Sequence, residues 1–222
     1  MSYKRFDQED IVVSADSITS AVWTGNSHTL TSFHTSSTQV ASTSGDYYNT
    51  IYQTDFSATA AERQFGLTYA DKNGKGYLDY DNATVPGISP TSTVYGQYRS
   101  LVLGDEDTDF KFGGVASEYF YVISVDRSRY KEKLLPGTFN LVLNYGNSAN
   151  AISIVDDSDY VSTVSYTDSG RVYELITGSL TSRYESNNAN GYTTTSGSYG
   201  KFLPDVGIIL LNGKALDAAV VE

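Results

Sequence analysis

Asp71, Asn73, Gly76, Leu78 and Asp79 fall at the first, third, sixth, eighth and ninth places of an EF-hand calcium loop, which sets oxygen ligands around a glycine turn. Lys75 puts a cation where an oxygen ligand belongs, and Asn82 replaces the closing bidentate glutamate. The flanks, Phe65, Leu67 and Tyr69 before and Tyr77, Leu78 and Tyr80 after, have strand rather than helix spacing. The stretch is therefore expected to be a hairpin turn. Gly207 to Gly213-Lys214-Ala215 approximates a phosphate loop, but its glycines are one residue too far apart and Ala215 stands where a magnesium-binding hydroxyl is needed. A buried strand ending in an Asn212-Gly213 turn suits it better. In Ser196-Gly197-Ser198-Tyr199-Gly200, Ser196 replaces the first glycine of a nucleophile elbow, within what reads as a long polar loop from Ser179 to Gly200. His28 and His34, the two histidines, would share one face of a strand but have no third ligand nearby. Folding can bring any two of the 26 acidic residues together as a glycosidase pair, so spacing nominates none. No catalytic, cofactor-binding or metal-binding residue is assigned, and the chain is expected not to be an enzyme.

Two charge clusters point to recognition instead. Arg127, Arg129, Lys131 and Lys133 crowd seven positions, and Asp105, Glu106, Asp107 and Asp109 form a compact acidic loop shortly before. They would serve as solvated faces, as one local salt-bridge network, or as complementary docking patches between subunits. Trp23 and surface tyrosines could stack on partners or on sugar rings.

The elements that must position these groups are mostly strands. Tyr and Gly number 19 each, only 18% of residues are charged, and Val, Ile, Thr and Tyr recur in short bursts between Gly, Asn, Asp and Ser. One helix stands out near 90–103. Ser89-Pro90 supplies its start, Val94, Tyr95, Tyr98, Leu101 and Val102 follow helical spacing, and Gly104 stops it. Tyr119, Tyr121, Ile123 and Val125 alternate with Phe120 and Val122, so both faces of that strand are apolar and it is expected to be central. Tyr130 and Leu134, four apart, suit one or two helical turns, and Pro136-Gly137 then leads to a strand through Phe139, Leu141 and Leu143. The predicted fold is mainly β: a single sandwich- or barrel-like domain with one or two short helices. Residues 1–60 read as a Ser/Thr-rich extended N-terminal arm or peripheral strands, and 61–222 as the β-rich core.

The net charge of −11 argues against a nucleic-acid or polybasic membrane binder. Cysteine is absent, which removes disulfides and thiolate chemistry. Apolar runs such as Ile208–Leu211 fall far below the roughly 20 residues that span a bilayer.

The segments Met1–Val13, Ser92–Arg99, Arg129-Tyr-Lys-Glu-Lys-Leu-Leu-Pro-Gly-Thr138, Gly170–Leu175 and Tyr199–Gly207 together resemble virion structural proteins of T4-like tailed phages, notably cyanophages. The resemblance spans nearly the whole chain. It implies a tail or baseplate component of the virion, made in the host cytoplasm, whose partners are other virion proteins and copies of itself. It carries no catalytic residue over. The alternative function is a receptor- or carbohydrate-binding β module of a tail fibre.

Overall fold

The computed structural model describes residues 22–35, 48–75, 90–144, 151–182 and 191–221. Twelve strands and two α-helices lie among them: β1 (His34–Thr35), β2 (Tyr48–Tyr52), β3 (Arg63–Asp71), α1 (Thr91–Leu103), β4 (Lys111–Phe112), β5 (Val115–Ala116), β6 (Tyr119–Val125), β7 (Asn140–Asn144), β8 (Ala151–Asp156), β9 (Ser165–Thr167), β10 (Gly170–Thr177), β11 (Gly200–Leu203), β12 (Ile208–Asn212) and α2 (Gly213–Val221). The chain is mainly β. One antiparallel sheet runs in the order β1-β2-β3-β6-β12-β11-β10-β8-β7, with β9 pairing the start of β10 and β4–β5 forming a separate small hairpin. Among the described residues the sheet is open and does not close into a barrel.

The double-sided apolar pattern of β6 is explained by its place between β3 and β12. On one face Phe120 and Val122 join Val172, Leu203 and Leu210 under α1, which contributes Val94, Tyr95 and Val102, and under Phe110 and Phe112. Phe110 meets Phe120 edge-on at 4.6 Å between ring centres, and the Tyr95 hydroxyl accepts a hydrogen bond from the Phe110 amide (3.2 Å). On the other face Tyr121, Ile123, Tyr173, Leu175, Phe202, Ile209 and Leu211 pack beneath Tyr130, Leu134 and Ala215. All five residues of β12 are buried, as a strand covered on both sides must be.

Several sequence expectations are refined. Helix α1 begins at Thr91 with Pro90 as its cap residue and ends at Gly104, whose amide donates back to the Ser100 carbonyl; Ser89 lies outside the described residues. Tyr130 and Leu134 do turn to the core, but the helical part of that segment is a 3-10 turn, Arg127–Arg129, started by Asp126, whose side chain accepts from the Ser128 amide. Asn212-Gly213 is not a turn between strands. It opens α2, where Lys-Ala-Leu-Asp-Ala-Ala favours helix and the fully buried Ala215 fits close to the sheet. Of the stretch 179–200, the described residues Leu180, Thr181 and Ser182 are exposed as a loop should be, whereas Gly191, Thr193 and Ser196 through Tyr199 are buried.

The strand at the β7 edge has a definite backbone orientation. Gly178 donates its amide to the Ser153 carbonyl, so Ser153 turns its backbone groups toward the β10 side. Val142, paired opposite Ser153, must therefore turn its own N–H and C=O away from β8, as must Asn140 and Asn144 two residues to either side. Leu141 and Leu143 pack on the second core, whereas Val142 is 51% exposed. Among the described residues no strand pairs with this outer edge.

Candidate functional site

The 3-10 turn Thr24–Asn26, with Gly25 and Asn26 at positive φ, brings Trp23 back to pair with Ser27. The turn after β6 brings Ser128 to Lys131 against it. Together with Glu62 they line a cleft of about 350 Å³. Trp23 sits on Phe65, 6.0 Å between ring centres. Arg129 forms the opposite wall, pairing with Glu62 (2.8 Å) and donating to the Thr24 hydroxyl, which in turn donates to Glu62 (2.9 Å). The Thr24 hydroxyl and the Arg129 guanidinium hold the Glu62 carboxyl below the usual carboxylate range. Gln64, buried behind the cleft, holds Thr24 in place by accepting from its amide (3.1 Å) and donating to its hydroxyl (2.7 Å). Such a wall of satisfied charges and hydroxyls, facing an indole, can hold a polar ligand or a peptide by hydrogen bonds and ring stacking.

The basic cluster is thus divided by the fold. Arg127 lies over the Tyr130 ring (4.6 Å) and donates to the Tyr130 carbonyl (2.6 Å), and Arg129 is tied into the cleft wall. Lys131 stands exposed at its rim. The acidic loop pairs elsewhere, Asp109 with Lys72 at 2.7 Å. Asp105 accepts from the Asp107 and Thr108 amides and the Thr108 hydroxyl, and these bonds, the hydroxyl's first, pull its carboxyl down to about 2. Charge reversal at Arg129 would dismantle the cleft from within.

The other singled-out residues fall apart as sites. Asp71 is buried and accepts from the Asn73 (2.8 Å) and Lys75 (3.0 Å) amides, closing its own turn; positions 76–82 lie outside the described residues. His28 and His34 are both exposed, and only His34 lies in a strand, so no strand joins them. Gly207 stands in the turn before β12, against the Tyr130 ring, and Gly213 opens α2 against Tyr119. Ser196 and Ser198 are buried at 3% and 0% exposure, out of reach of a substrate.

A buried polar group that sequence spacing did not reveal surrounds Ser198. Glu174 of β10 is in register with Lys201 of β11 and binds its ammonium at 2.5 Å. The same carboxylate accepts from the Ser198 hydroxyl (2.5 Å) and from the Gly113 amide (3.3 Å) at the tip of the β4–β5 hairpin. Asn212 donates to the Ser196 and Ser198 carbonyls, both at 2.8 Å. The group cements the hairpin and the 191–199 segment onto the sheet. Its signal in the sequence is a carboxylate at the centre of the apolar run Val172–Ile176.

Asp157 lies beside Glu174, its amide donating to the Glu174 carbonyl (3.0 Å) and its Oδ1 accepting from the Glu174 amide (3.0 Å). Burial, and then the Glu174 charge, push its carboxyl up to about 6. Unfolded, the group titrates near 3.8, so the folded state loses stability as pH rises from about 4 to about 6 and stays penalised above. Asp157→Asn, which keeps the acceptor, is expected to match the wild type in urea unfolding at pH 4 and to exceed it by about 2 kcal/mol at pH 7.5. An equal difference at both pH values would refute the assignment.

Comparison with protein-family models, with curated proteins and with solved structures finds no match for this chain. Among the described residues no helix is long and apolar enough to cross a membrane.

Proposed function

We propose that this chain is a phage virion structural protein, a tail or baseplate component that works by binding neighbouring virion proteins and catalyses no reaction. The observation that carries the reading is the β7 edge: five uncharged residues, Val142 half-exposed, with the backbone groups of Asn140, Val142 and Asn144 turned outward. An edge of this kind is a template for strand addition, and proteins that stay apart guard theirs with lysine, proline or bulges. The resemblance of the five segments to virion proteins supports the same conclusion. The net charge of −11 makes proteins, not nucleic acid or anionic membrane, the fitting partners. Mixing the purified chain with the other tail proteins is expected to give a complex that persists through sedimentation. No association with any of them, together with turnover of a small molecule, would reverse the reading.

A second reading, a carbohydrate- or receptor-binding module, is favoured by the Trp23 cleft, where the indole offers a stacking face beside Glu62 and Arg129. It predicts glycan binding that Trp23→Ala weakens by about tenfold or more, as loss of an aromatic anchor does, while the thermal midpoint shows the fold intact.

A further inference from the structure

We infer that the β7 edge pairs with the β7 edge of a second copy, antiparallel about a two-fold axis through Val142, so that two sheets become one. This rests on the assembly reading and names the partner. The strand Asn140-Leu141-Val142-Leu143-Asn144 reads the same in both directions. In an antiparallel pair centred on Val142, Val142 therefore faces Val142 of the other copy, Leu141 faces Leu143, and Asn140 faces Asn144. The register also suits the backbone. Asn140, Val142 and Asn144 are the residues whose N–H and C=O point outward, and the dyad makes each the hydrogen-bonded partner of an outward-pointing residue. The leucines, which lie over the second core, would meet across the axis and continue that apolar layer from one copy to the next.

Charge points to the same place. Two chains of net charge −11 repel, and contact between copies is least opposed where neither brings a charge. β7 brings none, whereas the edge at the far end of the sheet is a two-residue strand, too short to pair stably. A five-residue strand pair buries less than the roughly 1,200 Å² at which stable interfaces begin. The dimer is thus weak in dilute solution and firm where assembly concentrates the copies.

The chain has no cysteine, so Val142→Cys introduces a single thiol on the axis. Hydrogen-bonded antiparallel neighbours lie about 5.5 Å apart at Cα, within disulfide reach. Mild oxidation of the concentrated protein is expected to give a covalent dimer in a yield about tenfold above that of Val161→Cys, a comparably exposed position outside any strand. In the unmodified protein the amides of Asn140, Val142 and Asn144 should exchange more slowly at high concentration than at low. Equal cross-linking of both variants overturns the inference, as does protection of those amides in the dilute monomer, which would mean that the chain covers its own edge. A monomer that still binds tail proteins defeats the dimer alone, and a β7 dimer that binds none of them defeats the tail assignment alone.

Discussion

Gly197→Ala is expected to destabilise the protein by about 4–5 kcal/mol, enough to leave much of it unfolded if its total stability lies at the low end of the usual range, about 5 kcal/mol. Gly197 sits at φ +81°, and a β-carbon there would lie 2.0 Å from the Phe112 carbonyl oxygen and 3.0 Å from its carbon. Both are backbone atoms of β4, and Phe112 itself is fully buried against Phe110 and Phe120, so nothing can swing aside. The turn is further fixed by the Thr193 amide and hydroxyl, which donate to the Gly197 carbonyl at 2.9 and 3.0 Å. Gly25→Ala makes the control: its φ is +76° but the space around it is open, so only the backbone penalty of about 1 kcal/mol applies. Urea unfolding of the two variants should separate them clearly. A Gly197→Ala protein within 1 kcal/mol of the wild type would show that the hairpin and the 191–199 turn are not packed as described.

Glu174→Ala should cost about 3–5 kcal/mol, because it strands the ammonium of Lys201, whose side chain is only 14% exposed, takes the acceptor from the Gly113 amide, and leaves the Ser198 hydroxyl only the Gly200 carbonyl. The loss belongs to the broken pair and not to the attraction within it, so removing the second charge should recover most of it. Glu174→Ala combined with Lys201→Met is expected to lie within about 1–2 kcal/mol of the wild type. A double variant as unstable as the two single losses added together would mean that Glu174 and Lys201 act independently. Glu174→Ala should also bring the Asp157 carboxyl down, since the neighbouring negative charge is gone while the burial remains.

Local pattern was sufficient for the parts of the fold that depend on one segment. Helix α1 follows from the spacing of Val94, Tyr95, Tyr98, Leu101 and Val102, and the central position of β6 follows from apolar residues on both its faces. What escaped depends on contacts between distant segments. Ser196 and Ser198 look like loop residues until the β4–β5 hairpin closes over them. Asn212-Gly213 has the composition of a turn, and becomes a helix start because Tyr119 packs where a Gly213 side chain would be and its hydroxyl donates to Asp217 (2.5 Å). The cleft needed Trp23, Glu62 and Arg129 to meet from three separate stretches, and no spacing rule connects them. The basic cluster was visible as a run, but its division between Tyr130 and Glu62 was not.

The join between β6 and β12 also has a temporal side. Strands β3 and β6 emerge from the ribosome well before β12, so the middle of the sheet is a contact of very long range. At about 5–20 residues per second the interval is on the order of ten seconds. Throughout it the nascent chain displays a hydrophobic margin on β6 with no mate, and neighbouring polysomes are the nearest wrong mates. Ribosome pausing upstream of residue 208 should therefore lower the yield of correctly made protein more than an equal pause before β3.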